Sequence, residues 1–456
     1  MTAANPTALT DELFMLLGPQ GCLFGGDIAT SGAVWDRSGP EGPARPLALL
    51  RPASVQEVSA ALTLCHRFGV AVVPQGGLTG LAGGANPVEG AVLLSLSRFA
   101  GIEEIDPLSS TMTLRAGTVL EVAQKAAEAA GFLLPIDLGA RGSCQIGGVV
   151  ATNAGGQRVI GQGTTRENLL GIEAVLADGT VISHLLKVVK DNTGYNLGQL
   201  ICGSEGTLAV ITRVVVKLKP LPRDVGTVLC ALPDFAAVIR LLDLARQRLT
   251  LSAFEVMWHD HFVMNGGKAL FDATPAFAAL VEVAGDPDGQ ALEALLVEAF
   301  EDGIVLDALI AKSLAEARRF WDVREGERAS VQIRHEMNLD VSLAVGDMQG
   351  FAEDLLAGLP EIDPDVRAYV FGHVGDGNLH VILDLPKPDE DLVTAVDRLA
   401  YGIVQARAGS ISAEHGIGTL KRDWLGYSRS PAELAAMRAI KAALDPKGIL
   451  NPGKLL

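Results

Sequence analysis

The chain is poor in cysteine and in positive charge, and it has no long apolar run. Its five cysteines (Cys22, Cys65, Cys144, Cys202 and Cys230) are scattered among 456 residues without a CxxC pair. That pattern excludes a zinc ribbon and a disulfide framework, and it fits reduced thiols and a cytoplasmic location. Lys and Arg number 37 against 54 Asp and Glu, for a net charge of −17. So acidic a chain is not expected to bind nucleic acid or anionic membrane surfaces. An anionic small molecule would need a local arginine cluster or a metal. Runs of about 18 uncharged apolar residues are missing, so no membrane-spanning helix is expected. Residues 1–20 lack the basic start and apolar core of a signal peptide, so no secretory leader is expected.

What is present is an ordinary globular composition, 48% hydrophobic and 20% charged, with 51 glycines. The length suits two or three domains and a large core. Three of the eight histidines fall in two short segments: Phe371-Gly372-His373-Val374-Gly375-Asp376-Gly377-Asn378-Leu379-His380 and Ser412-Ala413-Glu414-His415-Gly416-Ile417-Gly418. Imidazole and carboxylate ligands suit zinc, manganese or iron, and a spare imidazole beside them suits a general base. The spacing alone equally allows histidines that hydrogen-bond a glycine-rich loop and a solvated Glu-His dipeptide.

Ser54 to Glu57 reads as a capping box, with Val55, Val58, Leu62 and Cys65 at helical spacing and Gly69 as the stop. A short strand, Val70 to Val73, then feeds the glycine-dense run Pro74 to Gly84. Backbone amides can converge there without Cβ obstruction, as a phosphate cradle requires, although a plain surface loop has the same composition. Thr118 to Glu121 reads as a second capping box whose helix ends at Gly131. The stretch Leu138 to Gly156 is mostly small residues, against which a flat aromatic cofactor could lie. Asp178-Gly179 marks the turn of a hairpin between Ala174 and Ile182, and Ala209 to Leu218 reads as a strand. Pro220 and Pro222 mark a boundary. Strands such as Phe277 to Ala284 then alternate with helices such as Gln290 to Phe300. Ser430-Pro431-Ala432-Glu433 caps a final helix ahead of Asn451-Pro452-Gly453-Lys454.

These motifs occur in the same order in one flavoenzyme group, which the chain resembles from about residue 45 to 456. The group is the FAD-dependent D-2-hydroxyacid dehydrogenases of the vanillyl-alcohol oxidase / p-cresol methylhydroxylase superfamily, and within it the D-2-hydroxyglutarate dehydrogenases. The resemblance is most specific over 135–215, 371–380 and 412–418. It implies an α+β architecture in four parts. These are an N-terminal segment (1–44), an FAD-binding domain (45–222), an α+β substrate or cap domain with a metal site (223–425), and a C-terminal helical segment returning to the FAD domain (426–456).

The resemblance makes Gln75, Gly76, Gly77, Leu78, Thr79 and Gly80 the pyrophosphate loop. Gly142, Ser143, Gly147, Gly148, Thr152, Asn153, Ile211 and Asn451 would complete the FAD site. Relatives with covalent flavin carry a histidine near the phosphate loop. This chain has none between 67 and 183, so noncovalent FAD is expected. The metal ligands would be His373, His380 and Glu414, with zinc the first expectation, and the base would be His415. Arg324 and Asn378 would contact substrate.

The implied reaction is oxidation of a D-2-hydroxy acid to the 2-oxo acid, hydride passing to flavin N5. A cation stabilises the developing alkoxide and an imidazole takes the hydroxyl proton. D-2-hydroxyglutarate is the first expected substrate, with D-lactate or D-malate as alternatives. An electron-transfer flavoprotein or quinone is the expected acceptor, and a homodimer is possible. A flavin-bearing subunit of a larger glycolate-type dehydrogenase is the further alternative.

Two departures touch substrate recognition. Arg328 replaces a small hydroxyl residue, and Asn338 stands where a lysine is usual, so Arg328 is expected to restore the missing charge. A third departure, Gln162 in place of a frequent tyrosine, has no evident consequence.

Overall fold

The computed structural model describes residues 6–32, 34–39, 42–326, 332–387 and 389–456. Two compact units emerge. One comprises Met1–Gly156, Gly163–Leu221 and Glu414–Leu456, and the other Gln157–Gln162 and Pro222–Ala413. Among the described residues no helix is long and apolar enough to cross a membrane.

The first unit holds two main sheets. A four-stranded sheet orders Cys22–Leu23, Ala48–Leu50, Val92–Ser95 and Val72–Gln75, with parallel pairing among the last three. An antiparallel five-stranded sheet orders Ile102–Asp106, Thr111–Arg115, Val210–Lys217, Leu169–Val175 and Val181–His184. One core joins them. Leu50, Val72 and Leu94 from the first sheet share it with Leu114, Ile172 and Val214 from the second. The N-terminal helix Pro6–Gly21 adds Leu9 and Leu13 to that core, so residues ahead of 45 belong to the unit's packing.

Local chemistry accounts for most helix ends. Helix Val55–Phe68 starts where the Ser54 hydroxyl accepts from the Glu57 amide and stops at Gly69, φ +68°. The following strand begins at Val72, later than the sequence suggests, because the Val70 amide donates back to Cys65 O and closes the helix. Thr118 does not cap a helix. Its hydroxyl is bound to Gly101 and Arg115, and helix Leu120–Ala129 begins at Val119. The amides of Leu120 and Glu121 donate instead to the carbonyls of Cys144 and Arg141. Distant carbonyls thus serve the orphan donors of that helix start and tie it to the small-residue stretch. The 178–179 turn and the Ser430–Glu433 capping box form as their residues dictate.

The second unit is built on a seven-stranded antiparallel sheet. Its order is Asp307–Ile310, Gly226–Leu232, Phe277–Ala284, Thr250–Trp258, Arg367–His373, Asn378–Asp384 and Glu336–Ser342. Helix Leu314–Glu325 covers one face, placing Phe320, Trp321 and Val323 against Leu229, Met257, Leu280 and Phe371. The detached segment 157–162 belongs to this unit. Arg158 pairs with Glu282 at 2.8 Å, and Gly161 lies so close to the Leu251 carbonyl that a Cβ would stand 2.4 Å from it.

Candidate active site

The first unit contains a cavity of about 460 Å³ lined mainly by backbone and small side chains. Strand Val72–Gln75 delivers its floor. The Gln75 amide donates to the carbonyls of Val34 and Ala85 at 2.9 and 2.8 Å, closing the glycine run into a loop. Leu78 takes φ +56°, a left-handed conformation that non-glycine residues rarely adopt. Gly77 leaves no room for a side chain, since a Cβ would lie 2.0 Å from Ser143 O. All six residues from Gln75 to Gly80 line the cavity, as do Gly147, Gly148, Thr152 and Ile211.

The other expected cofactor residues stand behind this lining. Ser143 packs its carbonyl on Gly77, and Gly142 lies near Glu121. Asn153 accepts from the Arg166 amide, and Asn451 donates to Gly84 O and Glu205 O.

The cavity suits a flat, hydrogen-bonding cofactor. The walls at Gly76, Gly148 and Gly84 have no Cβ, and the buried Gln145 Oε1 on the lining has no hydrogen-bond partner among the described residues. Several lining residues escaped the sequence reading. Asp36 and Arg37 come from the N-terminal segment, and Asp36 accepts from the amides of Ser38 and Ala85. Glu205, at φ +52°, accepts from the amides of Ile417 and Gly418, both at 2.7 Å. Desolvation pushes its carboxyl up, against those two amides. Glu414 and His415 line the same cavity. Beside it, Lys454 donates to Asn86 O, and burial pulls its ammonium down to about 8.

The second unit collects its chemistry on one sheet face. Alternation along a strand puts every second residue on the same side. The pairings Phe371↔His380, His373↔Asn378, Asp340↔His380 and Met257↔Phe371 therefore bring Glu255, Phe371, His373, His380, Asn378, Asp340 and Asn338 to that side. His373 and His380 face one another, Nε2 to Nε2, at 3.2 Å. Each has a buried carboxylate on its other side. Glu255 Oε1 lies 2.7 Å from His373 Nδ1, and Asp340 Oδ1 lies 3.8 Å from His380 Nδ1.

Arg324 enters from the covering helix. Its Nε donates to Glu255 Oε2, and its guanidinium lies over the Phe371 ring, 4.7 Å from the centroid. One Nη is 3.2 and 3.4 Å from the two His373 ring nitrogens. A point so nearly equidistant from both cannot lie in the ring plane without overlapping Cε1. It therefore sits over the ring face and leaves Nδ1 to Glu255. We assign Nδ1–H to the Glu255 bond, which turns the Nε2 lone pair towards His380.

Two lone pairs 3.2 Å apart repel unless a proton or cation lies between them. Two nitrogen ligands of one zinc ion, with bonds of about 2.0–2.1 Å, stand about that far apart, so the donor set fits a metal. Loss of solvent pushes the nearby Asp376 carboxyl up to about 6. Burial pulls His261, stacked on Phe371 at 4.1 Å, down to about 3.

Asn378 is buried and donates to Asp340 Oδ1 and Val341 O, while its own Oδ1 has no hydrogen-bond partner among the described residues. Asn338 is exposed and donates to Glu336. Arg328 lies outside the described residues.

Comparison with known proteins gives these features a context. The family described as "FAD binding domain" matches residues 46–184, and "FAD linked oxidases, C-terminal domain" matches 221–455. D-2-hydroxyglutarate dehydrogenase from Stutzerimonas stutzeri is 34% identical, covering 98% of each chain. The Xanthomonas citri enzyme is 38% identical over 94% of this chain and 92% of its own. The mitochondrial enzyme of Bos taurus is 40% identical over 90% of this chain and 76% of its own. Among solved structures, p-cresol methylhydroxylase matches with a TM-score of 0.76 at 16% identity, covering 98% of this chain and 96% of that one. Alkyldihydroxyacetonephosphate synthase matches at 0.73 and 18%, covering 98% and 84%. These structures share the fold.

The crowding at Gly77 yields a prediction. Gly77→Ala drives a methyl into the Ser143 carbonyl. Overpacking costs of about 1–3 kcal/mol translate into roughly 5- to 150-fold weaker FAD binding. Titrating apoprotein with FAD and following flavin fluorescence measures this, and wild-type affinity in the variant would refute the tight approach of the two segments.

The two matched domains and the extended similarity to whole dehydrogenases establish that this chain is a member of the FAD-linked oxidase family, an FAD-dependent oxidoreductase of the p-cresol methylhydroxylase fold.

Proposed function

We propose that the protein oxidises a D-2-hydroxy acid to the 2-oxo acid, with D-2-hydroxyglutarate the leading substrate. The observation that carries this reading is the pair of carboxylate-backed imidazoles, His373 and His380, whose Nε2 atoms converge at 3.2 Å. The names of the similar dehydrogenases support the substrate class. FAD, held noncovalently, supplies a two-electron acceptor, and a divalent cation, zinc foremost, supplies a Lewis acid for the substrate oxygens.

His373 and His380 serve as ligands through Nε2, with Glu414 the third. His415 removes the substrate hydroxyl proton. Glu414 and His415 are neighbours in sequence, so one short segment supplies both ligand and base. Arg324 offers a substrate carboxylate the guanidinium edge that Glu255 leaves open, and Asn378 adds a contact from the same sheet face. Arg328 supplies a second positive charge for a dicarboxylate, in place of the lysine missing at Asn338. Gly142, Ser143, Asn153 and Asn451 shape the FAD cavity from behind. Electrons leave for an electron-transfer flavoprotein or a quinone.

Anaerobic flavin reduction by a panel of D- and L-2-hydroxy acids tests the whole reading. D-2-hydroxyglutarate is expected to bleach the flavin fastest, with the L-acids inert. Preference for D-lactate would remove the dicarboxylate assignment, and bleaching by none of the acids would remove the reaction.

Chelation separates the metal from the flavin. A strong chelator should abolish reduction and leave the flavin absorbance bound to the protein. Full activity in metal-free protein would eliminate the cation.

His415→Asn should slow flavin reduction by at least about 100-fold, the lower end for loss of a general base, while FAD and substrate still bind. Stopped-flow rates within a few-fold of wild type across the pH range would assign the base elsewhere.

A further inference from the structure

Glu255 is the single charged residue of strand Thr250–Trp258 (TLSAFEVMW) and is fully buried. A buried carboxylate costs several kcal/mol unless its partners compensate for lost solvent. A strand whose only task was packing would carry an apolar residue there. The carboxylate is divided between two partners: Oε1 meets His373 Nδ1 at 2.7 Å, and Oε2 accepts from Arg324 Nε. Those two partners come from different elements, the strand Arg367–His373 and the helix Leu314–Glu325.

We infer that Glu255 is a positioning residue that orients the metal ligand His373 with one oxygen and the substrate-facing Arg324 with the other. This inference rests on the metal reading above. With Nδ1–H committed to Glu255, His373 can present only Nε2, and the ring cannot turn without breaking the bond. Outer partners of this kind raise ligand basicity, and their loss typically weakens metal binding about 10- to 100-fold. The other oxygen immobilises Nε of Arg324, so the guanidinium cannot swing out along its helix. Its position over the Phe371 ring completes the clamp. Glu255 thereby sets the spacing between the cation and the arginine, and so the spacing between the two oxygen groups of a bound 2-hydroxy acid. Two acids of the Arg324 helix, Asp322 and Glu325, pair with Arg318.

The test is zinc titration of metal-stripped, FAD-loaded protein against a chromophoric chelator, comparing wild type with Glu255→Gln. The expected result is a zinc Kd about 10- to 100-fold higher in the variant, together with an altered visible spectrum of bound Co²⁺. Glu255→Gln strands the buried guanidinium and could fail to fold. Glu255→Gln/Arg324→Gln is therefore compared with Arg324→Gln in the same titration, and the same 10- to 100-fold difference is expected. Equal zinc affinity within either pair overturns the inference while leaving the metal site standing. A wild-type protein that binds no divalent ion overturns the metal reading and the inference with it. Should neither Glu255 variant fold, ¹⁵N-histidine spectra of the metal-free wild type decide the matter. The ring signal lost in His373→Gln should report a protonated Nδ1 and a bare Nε2, and the opposite tautomer refutes the role of Glu255.

Discussion

One carboxylate draws distant segments together beside the cavity. Glu205 accepts from the amides of Ile417 and Gly418, and its own carbonyl accepts from the side chain of Asn451. Together with the amides of Thr419 and Leu420, which donate to Ala82 O, and that of Leu455, which donates to Gly418 O, these bonds tie the segment after His415 to the glycine loop. Hydrogen bonds to charged groups contribute about 1.5–3 kcal/mol each. They work against the loss of solvent at this carboxyl and against the cost of holding a non-glycine residue at φ +52°, of order 1–3 kcal/mol. Without Glu205 the amides of Ile417 and Gly418 would lose their acceptor.

Around that anchor the unit is assembled by backbone meeting backbone. Cβ atoms at Gly77, Gly117, Gly156 and Gly418 would lie about 2 Å from carbonyl oxygens of Ser143, Leu96, Asp137 and Ala82. Four segments distant in sequence can therefore approach closely enough to enclose a cavity with few side chains intruding. Much of the abundance of glycine has this steric origin, and flexibility is a poor description of it. The glycine loop, whose composition also suits a flexible surface segment, is held by the Gln75 side-chain amide, which donates to Val34 O and Ala85 O.

The legible parts of the sequence were those governed by local chemistry. The Ser54 and Ser430 caps, the 178–179 turn, the strand feeding the glycine run and the two histidines seven residues apart all depend on neighbours in the chain. What stayed hidden depends on distant partners. Glu255 meets His373 across 118 residues, and from the sequence it reads only as a polar interruption of an apolar strand. That interruption was nevertheless the available signal. Asp36 sits in a segment set aside as peripheral, yet it lines the cavity. Thr118 had the right spacing for a cap, but Gly101 claimed its hydroxyl. Arg324 can be read from the sequence as pairing with a neighbouring glutamate on the helix surface, whereas it is buried and bonded to Glu255. Propensity and spacing carry no information about such competitors.

The histidine centre and the His415 turn are rigid for different reasons. His373 and His380 sit on adjacent antiparallel strands whose seven paired residues fix their register. A one-residue slip would send every side chain of a strand to the opposite face. That would bury the imidazole and expose Leu379 and Val381, which are fully buried as placed. Register is therefore enforced by hydrophobic burial, and it sets the two imidazoles 3.2 Å apart. His415 stands outside any strand. It precedes Gly416 and Gly418, both at positive φ, in a segment held through Glu205 and through Ala82 O. Residues that must keep a fixed separation stand on the sheet, and the residue assigned to move a proton stands on a turn tied by the Glu205 carboxylate and by backbone bonds to Ala82 and Leu455.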